Sequence, residues 1–298
     1  MSQLAVVVPR SVRAYLESLG HVGRVRPTVG GFSNTTFLTT LEGRSVLVKA
    51  NSEETKRADL CREASVLSFL AGGEIPVPVL VSIGDVESDE GDPWTVVVEE
   101  AIDGEPGLSL VQRGDAADLG HCARQIGRVL GVVHDQVIGA ADGFAGVELD
   151  LGRRWSSDRH TVAGLVETNT GLTHSALRVG VTLVHGDAGF HNTLWHERRL
   201  VSLIDWEFAG VGNPLADAAW VWWTMTFRRL PASVWEAFVE GYRGDRLVLL
   251  GWSPELVTEF LRAQMFSLLS RTQPESNARK EWLRRLDGMS RLAIPAVK

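Results

Sequence analysis

The chain has 298 residues, 44% hydrophobic and 22% charged, with a formal net charge of −7. That length allows one large domain or a two-lobed unit with a sizeable core. An acidic balance argues against nucleic acid as the main partner, because phosphate binding requires a basic surface. No stretch reaches the ~20 apolar residues that span a bilayer. The two cysteines, Cys61 and Cys122, suit buried thiols in a reducing compartment, so we expect a cytoplasmic protein without a membrane partner.

The first hundred residues predict a small sheet around one helix. Enrichment in Val, Leu and Thr predicts strands at residues 22–29, 35–41, 45–49 and 95–99. The predicted helix runs from Lys56 to Ala71 and ends at Gly72-Gly73. Its apolar residues recur at helical spacing: Leu60, Ala64, Leu67 and Leu70.

The rest of the chain predicts mainly helices. Apolar spacing indicates helices within residues 119–133, 215–227, 233–242, 254–269 and 278–292. Short strands are expected at 182–184, 192–195 and 200–204, with a polar turn at 196–199. The order of elements therefore predicts an α+β fold with two lobes. The N-lobe, sheet plus helix, would be residues 1–102, and the larger, mainly helical C-lobe would be residues 103–298, with a hinge near 99–104.

The strongest motif is His185-Gly186-Asp187-Ala188-Gly189-Phe190-His191-Asn192, directly after a predicted strand. It places Asp187 and Asn192 five residues apart. Phosphoryl transfer to an alcohol needs a carboxylate that orients the hydroxyl and accepts its proton, and oxygen ligands for Mg²⁺. The simpler interpretation is an Asx-rich turn between two strands.

A second carboxylate, Asp205, ends another apolar stretch thirteen residues after Asn192. A hairpin through residues 196–199 would return Asp205 to the side of Asn192, where both could share a metal ion. Alone, Asp205 could equally be a helix N-cap or a turn residue. That alternative explains one aspartate well and the spaced set of residues poorly.

The third feature is the segment Gly30-Gly31-Phe32-Ser33-Asn34 between two predicted strands. Glycines let the backbone approach phosphate closely, and successive N–H groups can bind an anion. The strand that ends at Lys49 and the helix that carries Glu63 follow it. A lysine near the nucleotide phosphates, held by a helix glutamate, is a recurrent kinase arrangement. Each residue alone would suggest a solvated surface position.

With these motifs the chain resembles the aminoglycoside phosphotransferase/choline kinase family, small-molecule relatives of the protein kinases with the same two-lobed fold. The most specific parts are the Asp187–Asn192 motif, Ile204-Asp205-Trp206-Glu207, and Gly212-Asn213-Pro214-Leu215-Ala216-Asp217. The resemblance implies that Asp187 is the catalytic base and that Asn192 and Asp205 hold Mg²⁺. His185 and Asp217 would support the loop without reacting.

For the nucleotide, ATP or GTP, the resemblance implies contacts from two segments of the predicted N-lobe, one at the phosphates and one at the base. Gly31, Ser33 and Asn34 would lie at the phosphates with Lys49, which Glu63 would hold. The segment Glu99–Ile102 would be the hinge, with backbone groups of Glu100 and Ile102 facing adenine.

The acceptor is expected to be a small molecule, because no activation segment with an Ala-Pro-Glu follows Asp205; the stretch Glu207–Pro214 alone separates it from the next helix. Residues 181–298 carry 13 acidic and 14 basic residues, which weakens the case for a polycationic aminoglycoside. Asp150, Asp158 and Glu167 could still supply an acidic wall. An antibiotic, a sugar, an amino alcohol or a hydroxyacyl compound all remain open. A nucleotide-binding pseudokinase scaffold is disfavoured because all five expected residues are present: Lys49, Glu63, Asp187, Asn192 and Asp205. A protein kinase is disfavoured because the activation segment is missing.

Ten tryptophans are many for this length, and Trp220, Trp222 and Trp223 lie together after the second motif. At helical spacing Trp220 and Trp223 share a face, which favours core packing. An aromatic wall for the acceptor is the alternative.

Overall fold

The computed structural model describes residues 7–28, 34–88, 91–136, 182–289 and 292–297. The chain divides into two compact units. The first unit comprises Met1–Glu105, Thr193–His196 and Val201–Ala209, and the second comprises Pro106–Asn192, Glu197–Leu200 and Gly210–Lys298. The division at 102/103 into two domains stays a prediction.

The first unit is built on a five-stranded antiparallel sheet with the strand order β1-β2-β3-β5-β4. Its strands are β1 (Arg26–Pro27), β2 (Thr35–Leu41), β3 (Arg44–Asn51), β4 (Leu80–Ser88) and β5 (Gly91–Glu100). Its helices are α1 (Arg10–Leu19) and α2 (Glu54–Leu70). Alternation along β3 and β5 sends Val48 and Val98 into the core beneath α1, and sends Val97 to the opposite face, where it packs against Leu60 of α2.

The predictions for this unit hold for β2, β3, β5 and α2. All four apolar positions predicted for α2 are buried. The strand predicted at 22–29 is reduced, in its described part, to an isolated bridge at Val22 and the two residues of β1. Val22 lies opposite Leu41 and Arg26 lies opposite Leu38, so the pairing with β2 shifts by one residue between them and the ladder is interrupted. The predictions omitted α1 and β4. A separate three-stranded sheet has the strand order β6-β8-β9. Its strands are β6 (Glu105–Pro106), β8 (Thr193–His196) and β9 (Arg199–Leu203).

The second unit is mainly helical. Its helices are α3 (Gly107–Arg113), α4 (Ala116–Asp135), α5 (Leu215–Phe227), α6 (Ala232–Tyr242), α7 (Gly244–Leu249), α8 (Pro254–Ser270) and α9 (Asn277–Gly288). The short strands β7 (Thr182–Val184) and β10 (Gly210–Gly212) pair antiparallel. Asp115 and Ser253 begin α4 and α8 as side-chain N-caps. Helices α4 and α6 approach closely at Gly127 and Gly241, where a Cβ atom would collide with the backbone of the other helix.

The small α+β sheet unit and the helical unit agree with the predicted fold class. Both cysteines are free thiols; Cys122 is buried and Cys61 is partly exposed. None of the helices in the described ranges combines the length and apolar character needed to cross a membrane.

Candidate active site

A buried charge cluster lies on the α2 face of the first sheet. Antiparallel pairing of β3 with β5 sets Leu47 opposite Glu99 and Lys49 opposite Val97, so Lys49 and Glu99 point to the same face. Lys49 Nζ lies 2.7 Å from Glu63 Oε1 and 3.4 Å from Glu99 Oε1. The predicted Lys49–Glu63 pair is therefore present, and a second carboxylate that was not predicted joins it.

Helix α2 holds Glu63 rigidly because its apolar stripe packs against the sheet. Glu63 is 1% exposed, so it does not occupy the solvated surface position that the residue alone would suggest. Its Oε1 also accepts a hydrogen bond from the backbone N–H of Trp206 at 3.0 Å. Glu63 thus links Lys49 to the segment that directly follows Asp205.

More negative than positive charge surrounds Lys49. Burial alone would lower the pKa of Lys49, but the charges of Glu63, Glu99 and Asp205 outweigh it and raise that pKa well above its usual value. Burial raises the pKa of both Glu63 and Glu99, and the charge of Lys49 opposes the rise. Lys49 is accordingly a permanent cation, suited to contact an anion.

Asp205 follows β9 and has a left-handed backbone with φ 66° and ψ 63°. Its side chain is 41% exposed, and Oδ1 lies 3.9 Å from Lys49 Nζ. A short 3₁₀ helix, Trp206–Phe208, comes next. Asp205 is therefore held at the end of a strand with its carboxylate oxygens accessible, which suits a metal ligand better than a helix cap.

Glu207 anchors the same segment to α2 and to the loop before β2. Its carboxylate accepts from Asn34 Nδ2 at 3.4 Å and lies 4.0 Å from Lys56 Nζ. Arg62 of α2 donates to the carbonyl of Glu207 at 2.8 Å. Asn34 also accepts from Asn51 Nδ2 at 3.1 Å. Of the predicted phosphate loop, Asn34 is thus fixed within the first unit, whereas Gly31 and Ser33 lie outside the described residues.

The predicted nucleobase contacts lie at the end of β5. The N–H of Glu100 donates to the carbonyl of Val79 at 2.8 Å, and the N–H of Ala101 donates to that of Ser45 at 3.0 Å. A ligand at Glu100 would therefore use its carbonyl oxygen. Ile102, two residues further on, is half-buried.

In the second unit, Asp187 lies on the loop between β7 and a 3₁₀ helix at Phe190–Asn192. Three side chains donate to its carboxylate. Trp220 Nε1 and His191 Nε2 lie 2.6 and 3.0 Å from Oδ1. Asn192 Nδ2 lies 3.0 Å from Oδ2 and 2.9 Å from the Asp187 carbonyl. The predicted five-residue spacing therefore brings Asp187 and Asn192 into direct contact.

Asp217 of α5 supports the backbone of this loop, as the resemblance implies. Its carboxylate is fully buried and accepts from the N–H groups of His185 and Gly186 at 2.7 and 2.8 Å. His134 of α4 contacts the same carboxylate at 3.0 Å and Tyr242 at 2.6 Å. Gly186 has a φ of 80°, a left-handed conformation that glycine adopts without strain.

Asp187 remains ionised despite its surroundings. Burial would raise the pKa of Asp187, but the charge and hydrogen bond of His191, the charge of His185 and the hydrogen bond of Trp220 together lower it below its usual value. Its side chain keeps 22% of its surface exposed. An ionised, immobilised and accessible carboxylate can orient a hydroxyl and receive its proton.

The predicted metal ligands, Asn192 and Asp205, each have an oxygen atom that a cation could use. Asn192 uses its amide nitrogen for Asp187, so its carbonyl oxygen is the atom available to a cation. Amide and carboxylate oxygens are the hard ligands that Mg²⁺ prefers, so Asn192 and Asp205 fit the ion. They belong to different units, and their pairing stays a prediction. Within the described part of the chain, no group of three His, Cys, Asp or Glu side chains forms a metal site.

Three residues of the two clusters were missed from the sequence: Glu99, His191 and Trp220. The available signal for Glu99 was its place directly after Val96, Val97 and Val98 in a predicted strand, although the register that sets it beside Lys49 cannot be read from the sequence. Trp220 lies one helical turn after Asp217, which was itself assigned to support the loop. His191 directly precedes Asn192.

Comparisons with known proteins identify the family and the fold. The family model described as the phosphotransferase enzyme family matches residues 24–252. No curated protein sequence matches the chain. Three solved structures show the same fold at low identity. The gentamicin complex of APH(2")-IIa has a TM-score of 0.67 at 15% identity, covering 95% of this chain and 97% of that one. A thermostable mutant of aminoglycoside phosphotransferase APH(4)-Ia, with ADP and hygromycin B, has a TM-score of 0.61 at 19% identity, covering 94% and 97%.

The third, ADP-bound aminoglycoside phosphotransferase APH(2'')-Ib, has a TM-score of 0.60 at 16% identity, covering 95% of this chain and 99% of that one. The family match identifies the chain as a phosphotransferase with an alcohol group as phosphoryl acceptor. The chain belongs to the phosphotransferase enzyme family, which confirms the family predicted from its motifs.

Proposed function

We propose that the chain transfers the γ-phosphoryl group of ATP or GTP to a hydroxyl of a small molecule, with Mg²⁺ as the metal ion. The observation that carries this proposal is the Asp187 carboxylate, which is ionised, partly exposed and held by three donors. Phosphoryl transfer depends mainly on positioning and electrostatic stabilisation, and a fixed carboxylate next to a potential metal ligand serves both.

In this mechanism Asp187 orients the acceptor hydroxyl and takes its proton. Lys49 contacts the α- and β-phosphates, and Glu63 acts through Lys49 by holding its ammonium group. The buried 2.7 Å contact between Lys49 and Glu63 supports these roles. A pseudokinase scaffold would gain nothing from an immobilised Asp187.

Asn192 and Asp205 would hold the Mg²⁺ ion, which neutralises phosphate charge when bound. The accessible carboxylate of Asp205 and the oriented amide of Asn192 support this assignment. We expect Asp205→Asn and Asn192→Ala both to raise the Mg²⁺ concentration needed for nucleotide binding, and more Mg²⁺ to rescue the milder variant in part. Unchanged metal titrations in both variants would show that the metal site is placed wrongly.

The nucleotide would lie against residues of the predicted N-lobe, 1–102. Backbone groups of Gly31, Ser33 and Asn34 would contact the phosphates. The nucleobase would meet the Glu100 carbonyl and the backbone of Ile102. The anchoring of Asn34 by Glu207 supports an ordered end to that phosphate loop.

For the acceptor, we propose an antibiotic that phosphorylation inactivates, with a metabolic sugar, amino alcohol or hydroxyacyl compound as the alternative. The ligands in the structures of two neighbours, gentamicin and hygromycin B, support the first class. The near-neutral charge of residues 181–298 favours an acceptor with fewer ammonium groups than those. The enzyme would act in the cytoplasm.

The test is release of nucleoside diphosphate with Mg²⁺ and a panel of hydroxyl compounds, alongside a generic protein substrate. Turnover with at least one small hydroxyl compound is expected. Asp187→Asn should lower that turnover ~10²–10⁴-fold, the usual loss of a general base, with the affinity for Mg-nucleotide close to wild type. Nucleotide binding without transfer to any acceptor would favour the scaffold, and wild-type turnover in Asp187→Asn would remove Asp187 as the base.

A further inference from the structure

Trp220 donates the shortest hydrogen bond to Asp187, the proposed base. It lies on α5, is 4% exposed, and its Nε1 is 2.6 Å from Asp187 Oδ1. Core packing, the role that helical spacing predicts for Trp220, explains its burial. Packing does not explain why the indole N–H points at this carboxylate.

Aromatic neighbours hold the indole in place. The ring stacks on Trp223 with centroids 4.7 Å apart and on Trp282 with centroids 6.2 Å apart. Such a stack restricts the rotamers of Trp220. The packing of α5 and α9 therefore sets the direction of the indole N–H. Because the ring is already immobilised, the hydrogen bond to Asp187 costs little further side-chain entropy.

One helix consequently fixes the catalytic loop at two points. Asp217, one turn before Trp220 on α5, binds the backbone N–H groups of His185 and Gly186. Trp220 binds the side chain of Asp187. Residues three apart lie on the same helix face, so both contacts arise from one rigid element.

The distribution of donors also distinguishes the two carboxylate oxygens. Oδ1 accepts from Trp220 and His191, whereas Oδ2 accepts from Asn192. A carboxylate has about four lone-pair sites, two on each oxygen. Among the described contacts, Oδ2 is thus the oxygen with a lone pair left for a substrate.

We propose that Trp220 is a positioning residue that directs Asp187 Oδ2 at the acceptor hydroxyl. The inference rests on the proposed function, in which Asp187 is the base. In the transfer step the hydroxyl O–H bond breaks and its proton goes to Oδ2. The hydroxyl oxygen bonds to the γ-phosphorus, and the bond from that phosphorus to the leaving diphosphate oxygen breaks.

The test compares Trp220→Phe with Trp223→Phe, a control from the same stack that makes no hydrogen bond to Asp187 in the described contacts. Both keep an aromatic ring, so both should lower the melting temperature to a similar extent. Trp220→Phe should lower kcat ~10–100-fold, the loss expected for a hydrogen bond to a charged group, with the KM for nucleotide unchanged. Trp223→Phe should leave kcat within about twofold of wild type.

A double variant separates positioning from general damage. If Trp220 acts through Asp187, then Trp220→Phe added to Asp187→Asn should cause no further loss of kcat. A second measurement does not need the Trp220 variant to be active. The indole proton resonance that is absent from Trp220→Phe should move upfield in Asp187→Asn, because its charged acceptor is gone.

Any of three results would overturn the inference. They are equal kcat values for the two tryptophan variants, additive losses of kcat in the double variant, and an indole proton resonance that does not shift in Asp187→Asn. An inactive Asp187→Asn together with a fully active Trp220→Phe would overturn this inference alone. An active Asp187→Asn would overturn the base assignment of the proposed function along with it.

Discussion

Replacing Lys49 with methionine should lower the free energy of unfolding, because the buried cluster in the first unit then holds two carboxylates and no cation. Methionine keeps a long apolar side chain but removes the ammonium group. Glu63 and Glu99, which are 1% and 2% exposed, would then face each other without a counter-ion. Each also has a buried Oε2 atom with no hydrogen-bond partner among the described residues.

The distances set the size of the effect. At an effective dielectric constant of ~20, ion pairs at 2.7 and 3.4 Å are worth about 6 and about 5 kcal/mol of Coulomb energy. Desolvation offsets most of this, and removal of one partner of a buried pair costs ~3–5 kcal/mol. Glu63→Gln should cost less, about 1.5–3 kcal/mol, because Lys49 keeps Glu99 as its partner.

The assay is urea unfolding without nucleotide, with the change in midpoint read at constant m. It is run above the raised Glu63 pKa of about 8, where the Glu63 carboxylate is ionised. Lys280→Met is the matched control, because Lys280 is an exposed residue of α9; its effect should stay within ~0.5 kcal/mol. Adding Glu99→Gln to Lys49→Met should restore part of the lost stability, since one uncompensated carboxylate is then gone.

Two results would refute this reasoning. One is a Lys49→Met variant as stable as Lys280→Met. The other is a double variant, Lys49→Met with Glu99→Gln, no more stable than Lys49→Met alone. Either would mean that the ammonium group and the two carboxylates do not share one buried site in solution.

The remaining predictions concern pH, packing and nucleotide use. Because burial raises the pKa of Glu63, the stability it contributes is complete below its usual pKa near 4.5 and declines as pH rises through the raised value; urea midpoints should fall with pH, and fall less in Glu99→Gln. Gly241→Ala should destabilise the protein by ~1–3 kcal/mol, because the added methyl group clashes with α4. Gly131→Ala should stabilise it by about 0.5–1 kcal/mol, because no described residue lies within 4 Å of the added methyl group; equal thermal shifts would contradict the packing. Lys49→Ala should raise the KM for nucleotide more than Glu63→Ala, with the double variant little worse than Lys49→Ala; additive losses would separate the two roles.

Strong periodicity made much of the fold predictable. The stripe from Leu60 to Leu70 has no other way to be buried than as one face of a helix, and β2, β3 and β5 carry branched residues between clear turns. The expected strand at 22–29 is mostly missing from its described part, because the pairing with β2 shifts by one residue between Val22 and Arg26 despite the neighbouring valines. The omitted β4 exposes Val81 and Ile83, so its apolar residues do not mark a buried face.

Within the site, contacts between residues that are close in sequence could be predicted from their spacing. Five residues from Asp187 to Asn192 suffice to bring an amide back to a carboxylate across one turn. The pairing of Lys49 with Glu63 was also predictable, because a strand-end lysine and a helix glutamate in that order match a known arrangement.

Only the tertiary structure decided which residues complete the two clusters. Glu99 joins Lys49 because the register of β3 and β5 places Leu47 opposite it, and sheet register is not encoded in either strand alone. Trp220 reaches Asp187 across 33 residues of chain because α5 packs with its Asp217 face on the catalytic loop. Hydrogen bonds between residues far apart in sequence depend on how whole elements pack, and local spacing carries no information about that.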